Sequence, residues 1–236
     1  MMTLYDLAGQ DDDLRFSPYC WRVKMALAHK GLSVDCKPWR FTEKDQIAFS
    51  NQKKVPVLVD GDQVIHDSWS IMSYLDTVYR SKPPLFVNEA ARESAYNLKF
   101  WVEKTIHLPL LKLLILDIFN CLHEKDKAWF RASREQRLGM TLESFSDISE
   151  GFIQDFRQLL EPVRSTLEWQ DYLNGDQPAG ADYLLFGTFQ WANCTSSVQL
   201  LAEDDPVQVW FQRMLSLFNY LAGKATKAHT LSPEVR

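Results

Sequence analysis

Four short groups of residues in this chain carry side chains suited to chemistry. The first is Ser17-Pro18-Tyr19-Cys20, placed where a helix begins. A helix N-terminus presents unpaired N–H groups and about half a positive charge, so it favours an anion. A hydroxyl at that point can donate a hydrogen bond to a thiolate; Ser is equally a preferred helix cap, and capping alone accounts for it. The second group is Lys54-Val55-Pro56. A proline at a strand edge leaves neighbouring main-chain groups free to pair with an extended peptide, or it simply marks an edge strand. The third is Asp67-Ser68, at the start of another helix. Ser68 and the nearby amides suit a carboxylate and Asp67 suits an ammonium, or Asp67 is simply the helix cap with nothing bound. The fourth is an aromatic set: Phe100, Trp101, Phe119, Trp129, Phe130, Phe186, Phe189 and Trp191. At helical spacing such residues usually build a core, and some can line an apolar pocket.

Other chemistries lack their residues. There is no Gly-rich phosphate loop, no HExxH and no GxSxG. Cys20, Cys36, Cys121 and Cys194 form no CxxC pair, so no zinc or other metal site is expected. His66 and His107 stand alone and read as structural. The formal net charge of −5 argues against a nucleic-acid surface, which needs a basic face. Leu108–Leu116 is the most apolar stretch, but it contains Lys112 and falls well short of the roughly 20 residues that span a bilayer. The first residues offer neither a basic nor an apolar leader segment. A cytoplasmic protein with reduced thiols and no membrane partner is expected.

The elements that must position these groups fall into two textures. Residues 3–7 read as a strand and Pro18 to Lys30 as a helix, with Ser17 as cap and Gly31 just past its end. Residues 33–37 read as a strand, and Val55–Val59 with Gln63–His66 as a hairpin about Asp60-Gly61. A helix follows from Asp67-Ser68 to about Tyr79, and residues 81–84 (SKPP) read as a linker. Beyond residue 88 the period is helical: 90–123 with a kink or break at Pro109, then 126–144, 150–167, 181–200 and 205–224, with a loosely held tail after Ala225. The reading is an α/β domain (βαβ-ββα) over residues 1–82, followed by an all-α domain over 88–236.

Ser17-Pro18-Tyr19-Cys20 leading into Trp21-Arg22-Val23, then Val55-Pro56, then Asp67-Ser68 with Ile71, resembles the glutathione S-transferase superfamily in order and spacing. The stretch from Gly175 through Tyr183 looks like that family's entry into the central helix of its second domain. Residues 17–31, 55–69, 132–139, 173–183 and 203–210 further resemble the bacterial β-aryl etherase branch and its fungal etherase-related relatives. The resemblance implies a thioredoxin-like N-terminal domain that binds glutathione as cosubstrate and a helical domain that forms the electrophile pocket. Ser17 would stabilise the glutathione thiolate, Val55 before a cis Pro56 would pair with the cysteinyl backbone, Asp67 and Ser68 would hold the γ-glutamyl end, and Lys54 the glycine carboxylate. It also implies a homodimer and a hydrophobic, aromatic second substrate.

Three positions depart from the pattern. Ser17 replaces the first Cys of the redox motif, which excludes a two-cysteine cycle while leaving Cys20 one turn on. Ala179 stands where the family usually has a Ser, Thr or Asn cap. Asp67 stands where many members have Glu. An enzyme in which glutathione attacks an electrophilic carbon, with β-aryl ether cleavage as one form, is the leading expectation. A non-catalytic binder of glutathione and aromatic ligands, or a maleylacetoacetate-type isomerase, is the alternative; an appended interaction module is disfavoured because the chain ends soon after the helical half.

Overall fold

The computed structural model describes residues 2–231. Its first half is βαβ followed by a hairpin and a helix: β1 (Met2–Leu7), α1 (Pro18–His29), β2 (Val34–Trp39), a 3₁₀ turn at Lys44–Ser50, β3 (Val57–Asp60), β4 (Gln63–His66) and α2 (Ser68–Val78). The sheet order is β2-β1-β3-β4. β1 and β2 are parallel, joined by a crossover through α1, and β1–β3 and β3–β4 are antiparallel. Two positions dictate the connections: Gly61 takes φ 59° in the hairpin turn, and Gly31 takes φ 62° just beyond α1. Pro38 sits in β2, an edge strand, where its missing N–H costs no ladder bond.

Pro56 differs from expectation. The strand starts at Val57, so Val55 and Pro56 precede it, and β3 is an inner strand rather than an edge. A proline just ahead of the first strand residue meets the same constraint, because it has no ladder bond to donate.

The second half is helical: α3 (Glu89–Trp101), a π turn (Val102–Ile106), α4 (His107–Asn120), α5 (Glu124–Leu138), α6 (Leu142–Phe145), α7 (Glu150–Leu159), α8 (Glu161–Leu167), α9 (Gly180–Thr195), α10 (Pro206–Tyr220) and a 3₁₀ turn at Ala228–Thr230. A thioredoxin-like domain is thus followed by an all-helical one. The expected break near Pro109 takes the form of the π turn: proline cannot donate to Thr105 and crowds its carbonyl, and a widened turn just before it absorbs both effects. Two long expected helices are each divided. Gly139, at φ 72°, ends α5. Pro162 ends α7, and α8 restarts with that proline in its first turn. α10 loses helical backbone at Leu217–Asn219. Of the expected loose tail, residues up to 231 include the short 3₁₀ turn, and 232–236 lie outside the described residues.

α9 is buried along nearly its whole length and packs against α1, α3 and α4. The cap missing at Ala179 is replaced from inside the helix: the Asp182 carboxylate accepts from Ala179 N at 2.9 Å, Leu173 N at 2.9 Å and Trp210 Nε1 at 2.9 Å. Burial pushes the Asp182 carboxyl up to about 6 despite these donors. The linker is clamped as well. Lys30 meets Asp76 at 2.6 Å and Pro83 O at 3.0 Å, and Asp76 in turn accepts from Leu85 N and Phe86 N. No helix among the described residues is long and apolar enough to cross a membrane.

Candidate functional site

Sheet register gathers the first three groups at one end of the sheet. Tyr5, Val57 and His66 are paired across β1, β3 and β4. Val55-Pro56 immediately precede this row, Asp67-Ser68 immediately follow it, and β1 leaves the sheet at the same end on its way to Ser17. The three groups stand far apart in sequence, yet hairpin pairing and one crossover bring them together.

Ser17 caps α1. Its backbone is extended, its Oγ accepts from Cys20 N at 3.2 Å, and Pro18 occupies the first helical position. α9 presses on this turn at Gly187, where an added Cβ would lie 2.2 Å from Pro18 O, so only glycine permits the contact. Cys20 faces inward and is fully buried. Burial first, then Asp6, pushes its thiol well above the usual range, so it is held protonated and is a poor nucleophile.

Val55 is joined to Pro56 by a cis peptide bond. Its N–H and C=O make no hydrogen bond among the described residues, leaving one donor and one acceptor for an extended ligand. Lys54 beside it is exposed and takes part in no ion pair among the described residues.

Asp67 is exposed and caps α2 by accepting from Ser70 N at 3.0 Å. Its φ of 69° is left-handed, an unusual state for a non-glycine residue that aspartate tolerates better than most. Because Asp67 takes the capping role, Ser68 Oγ is left buried with no hydrogen-bond partner. Native structures rarely strand a buried hydroxyl, and leaving one unpaired costs roughly 1–3 kcal/mol.

The aromatic set divides. Phe130, Phe186 and Phe189 are core. Trp129 stacks on Phe41 at 5.3 Å, Phe119 joins them through Phe130, and Phe100 lies exposed against Tyr96. Trp101 is half-buried. Trp191 alone of the set approaches the start of α1, through His107, whose ring is 6.0 Å away. His107 is therefore not isolated, contrary to the reading from sequence. Its Nδ1 is 3.3 Å from Tyr19 Oη and its Nε2 is 2.9 Å from Thr188 Oγ1. Tyr19, His107 and Thr188 stand 81 or more positions apart pairwise with His107, so no local spacing signals the group. The π turn just before His107 is the nearest sequence-linked sign, through Pro109. A groove of about 400 Å³ lined by Trp69, Glu89, Arg92, Glu93, Tyr96 and Asn97 lies along α2 and α3 and does not include Ser17.

Comparison with known proteins shows the family of the chain. The glutathione S-transferase N-terminal domain model matches residues 13–83, and the glutathione S-transferase C-terminal domain model matches residues 95–211. The chain belongs to the glutathione S-transferase superfamily. Among curated members of that superfamily, glutathione S-transferase Z1 of Arabidopsis thaliana is 45% identical over 69 residues, covering 27% of this chain and 31% of the relative. Glutathione S-transferase F10 of the same plant is 28% identical over 177 residues, 70% of this chain and 80% of the relative. The first curated relatives are matched over only 31%, 40% and 32% of their own length. In fold, this superfamily member is similar to glutathione transferase GSTFuA3 from Phanerochaete chrysosporium (TM-score 0.81, 21% identity, 93% of this chain and 96% of that one). It is equally similar to a glutathione S-transferase of Ceriporiopsis subvermispora solved in complex with glutathione (TM-score 0.82, 19% identity, 93% and 97%).

Proposed function

We propose that this protein is a serine-type glutathione transferase in which residues 1–82 hold glutathione and residues 88–236 shape the electrophile pocket. The observation that carries the reading is the pair of unsatisfied recognition groups at one end of the sheet: the buried, unpartnered Ser68 Oγ and the unpaired peptide of Val55. Glutathione supplies what they lack. Its γ-glutamyl carboxylate accepts from Ser68 Oγ and the first N–H groups of α2, its ammonium meets Asp67, its cysteinyl backbone pairs with Val55, and Lys54 reaches the glycine carboxylate. The thiol then lies at the start of α1, where the Ser17 hydroxyl and the helix dipole favour the thiolate.

Because the Cys20 thiol is buried and held protonated, the reactive sulfur is glutathione's own, and attack on carbon is favoured over disulfide exchange. Tyr19, His107 and Trp191 form a series of ring contacts beside the start of α1 that suits an aryl electrophile, and the etherase-like segments of the sequence point to β-aryl ethers. The protein is expected to work as a cytoplasmic homodimer.

The test is glutathione-dependent release of phenol from α-phenoxyacetophenone, with conjugation of an activated aryl halide as the second assay. Wild type should turn over at least one. Saturable glutathione binding with no turnover would make the protein a binder. Disulfide reductase activity that vanishes in Cys20→Ser, with no carbon electrophile consumed, would reverse the choice of reaction.

A further inference from the structure

Beside the start of α1, three side chains from three elements form a hydrogen-bonded row: Tyr19 on α1, His107 at the head of α4 and Thr188 on α9. Thr188 is fully buried and Tyr19 half-buried, so the row runs from the core outward. Proton positions follow from counting donors. Thr188 Oγ1 has His107 Nε2 as its one hydrogen-bonding neighbour among the described residues. Thr77 and Thr195 donate to the carbonyl four residues back, but Thr188 does not, and the carbonyl it would use, that of Leu184, accepts instead from Arg22 Nε at 3.1 Å. If His107 Nε2 carried the proton, the Thr188 hydroxyl hydrogen would be stranded in the core, at a cost of roughly 1–3 kcal/mol. The satisfied arrangement has Thr188 donating to Nε2 and Nδ1–H donating to Tyr19 Oη. The phenolic proton is then free at the outer, partly exposed end of the row.

Two further contacts fit a donor there. The Arg22 guanidinium lies 4.9 Å from the Tyr19 ring centroid and is itself fixed by Glu103 at 2.7 Å. Burial, and then Arg22, hold the His107 imidazole down to about 3, so it stays neutral and keeps one donor and one acceptor nitrogen. Tyr19 itself is the partly exposed end of the row, in the first turn of α1 two residues from Ser17.

We infer that Tyr19 is a second catalytic residue, donating its hydrogen bond to the oxygen that leaves the electrophile, with His107 and Thr188 as positioning residues that aim its proton. The inference rests on the thiolate-transfer reading above and narrows its substrate class to electrophiles whose reacting carbon carries an aryloxy group. In the step, the C–S bond forms as the C–O bond breaks, and the electron pair goes to the departing oxygen. The proton lost by the glutathione thiol to solvent is matched by the one the phenoxide takes up on release. Tyr19 holds that oxygen while its charge develops, as an oxyanion-hole donor does.

The experiment uses wild type, Tyr19→Phe, Thr188→Val and Thr188→Ser with α-aryloxyacetophenones that release phenols of graded acidity. In Tyr19→Phe, kcat should fall by about 10²–10³ for the least acidic phenol, and by progressively less as the phenol becomes more acidic. Thr188→Val should steepen the same dependence and Thr188→Ser should restore it. Nitrogen-15 chemical shifts should show His107 protonated at Nδ1. Equal loss across all leaving groups, no loss, or an Nε2-protonated His107 would overturn the inference while leaving wild-type turnover and the reading beneath it intact. Absence of ether turnover in wild type would remove this inference; only failure with the aryl halide as well would remove the reading beneath it.

Discussion

The two helix starts at the end of the sheet are built from similar residues and balanced in opposite ways. At α1, Ser17 is the cap and the proposed site residue, and its oxygen is occupied by Cys20 N. At α2, Asp67 performs the capping, in a left-handed backbone state, and Ser68 behind it is buried and unpaired. The first start is self-sufficient. The second carries an unmet hydrogen bond, and under the proposed function stability is held at α1 while binding free energy is reserved at α2. This division suits a site that must exist before its cosubstrate arrives yet gain when it does.

Four changes sharpen or break that contrast. Gly187→Ala forces a methyl group against Pro18 O and the Arg22 stem, and should cost about 1–3 kcal/mol in denaturant unfolding while displacing the α1 start. A variant as stable as wild type would show that α9 does not fix that turn. Acid comes next. The unfolded chain protonates His107 near 6.5, whereas the folded chain resists to about 3, so falling pH favours unfolding. Between pH 6.5 and pH 5 wild type should lose about 1.6 kcal/mol more than His107→Gln, the slope rising from half to nearly all of about 1.4 kcal/mol per unit. Parallel acid profiles would place the imidazole in water. Ser17→Ala removes a cap and should cost about 1 kcal/mol; with glutathione bound, its thiolate absorbance should titrate at higher pH than in wild type. An unchanged midpoint would reduce Ser17 to a cap. Ser68→Ala should have the smallest effect on the free protein and the opposite sign: no loss, and a gain of up to about 1 kcal/mol, because a stranded hydroxyl is removed. A clear loss of stability would mean that Ser68 is already satisfied.

Punctuating residues made much of this legible in sequence. Ser17, Pro18 and Gly31 bound α1, and Asp60-Gly61 marks the hairpin, because each acts on its own backbone. The candidate groups at 17, 55 and 68 could be picked out because each sits at a boundary that such residues set. The inner position of β3 was not legible, since strand order depends on pairing across the chain. The Tyr19–His107–Thr188 row was hidden for the same reason. The replacement of the Ala179 cap by Asp182 could be seen only once Leu173 and Trp210 were brought to the same carboxylate. Asp67 as the α2 cap could be read from sequence; that Ser68 behind it is buried and unpaired could not.

Calorimetric titration with glutathione, on wild type and Ser68→Ala side by side, tests the central claim most directly. Wild type should bind saturably, and Ser68→Ala should bind about 10- to 100-fold more weakly, matching the roughly 1.5–3 kcal/mol of a hydrogen bond to a charged partner. Absence of heat and of thermal stabilisation in wild type at millimolar glutathione, or equal affinity in the two proteins, would contradict it.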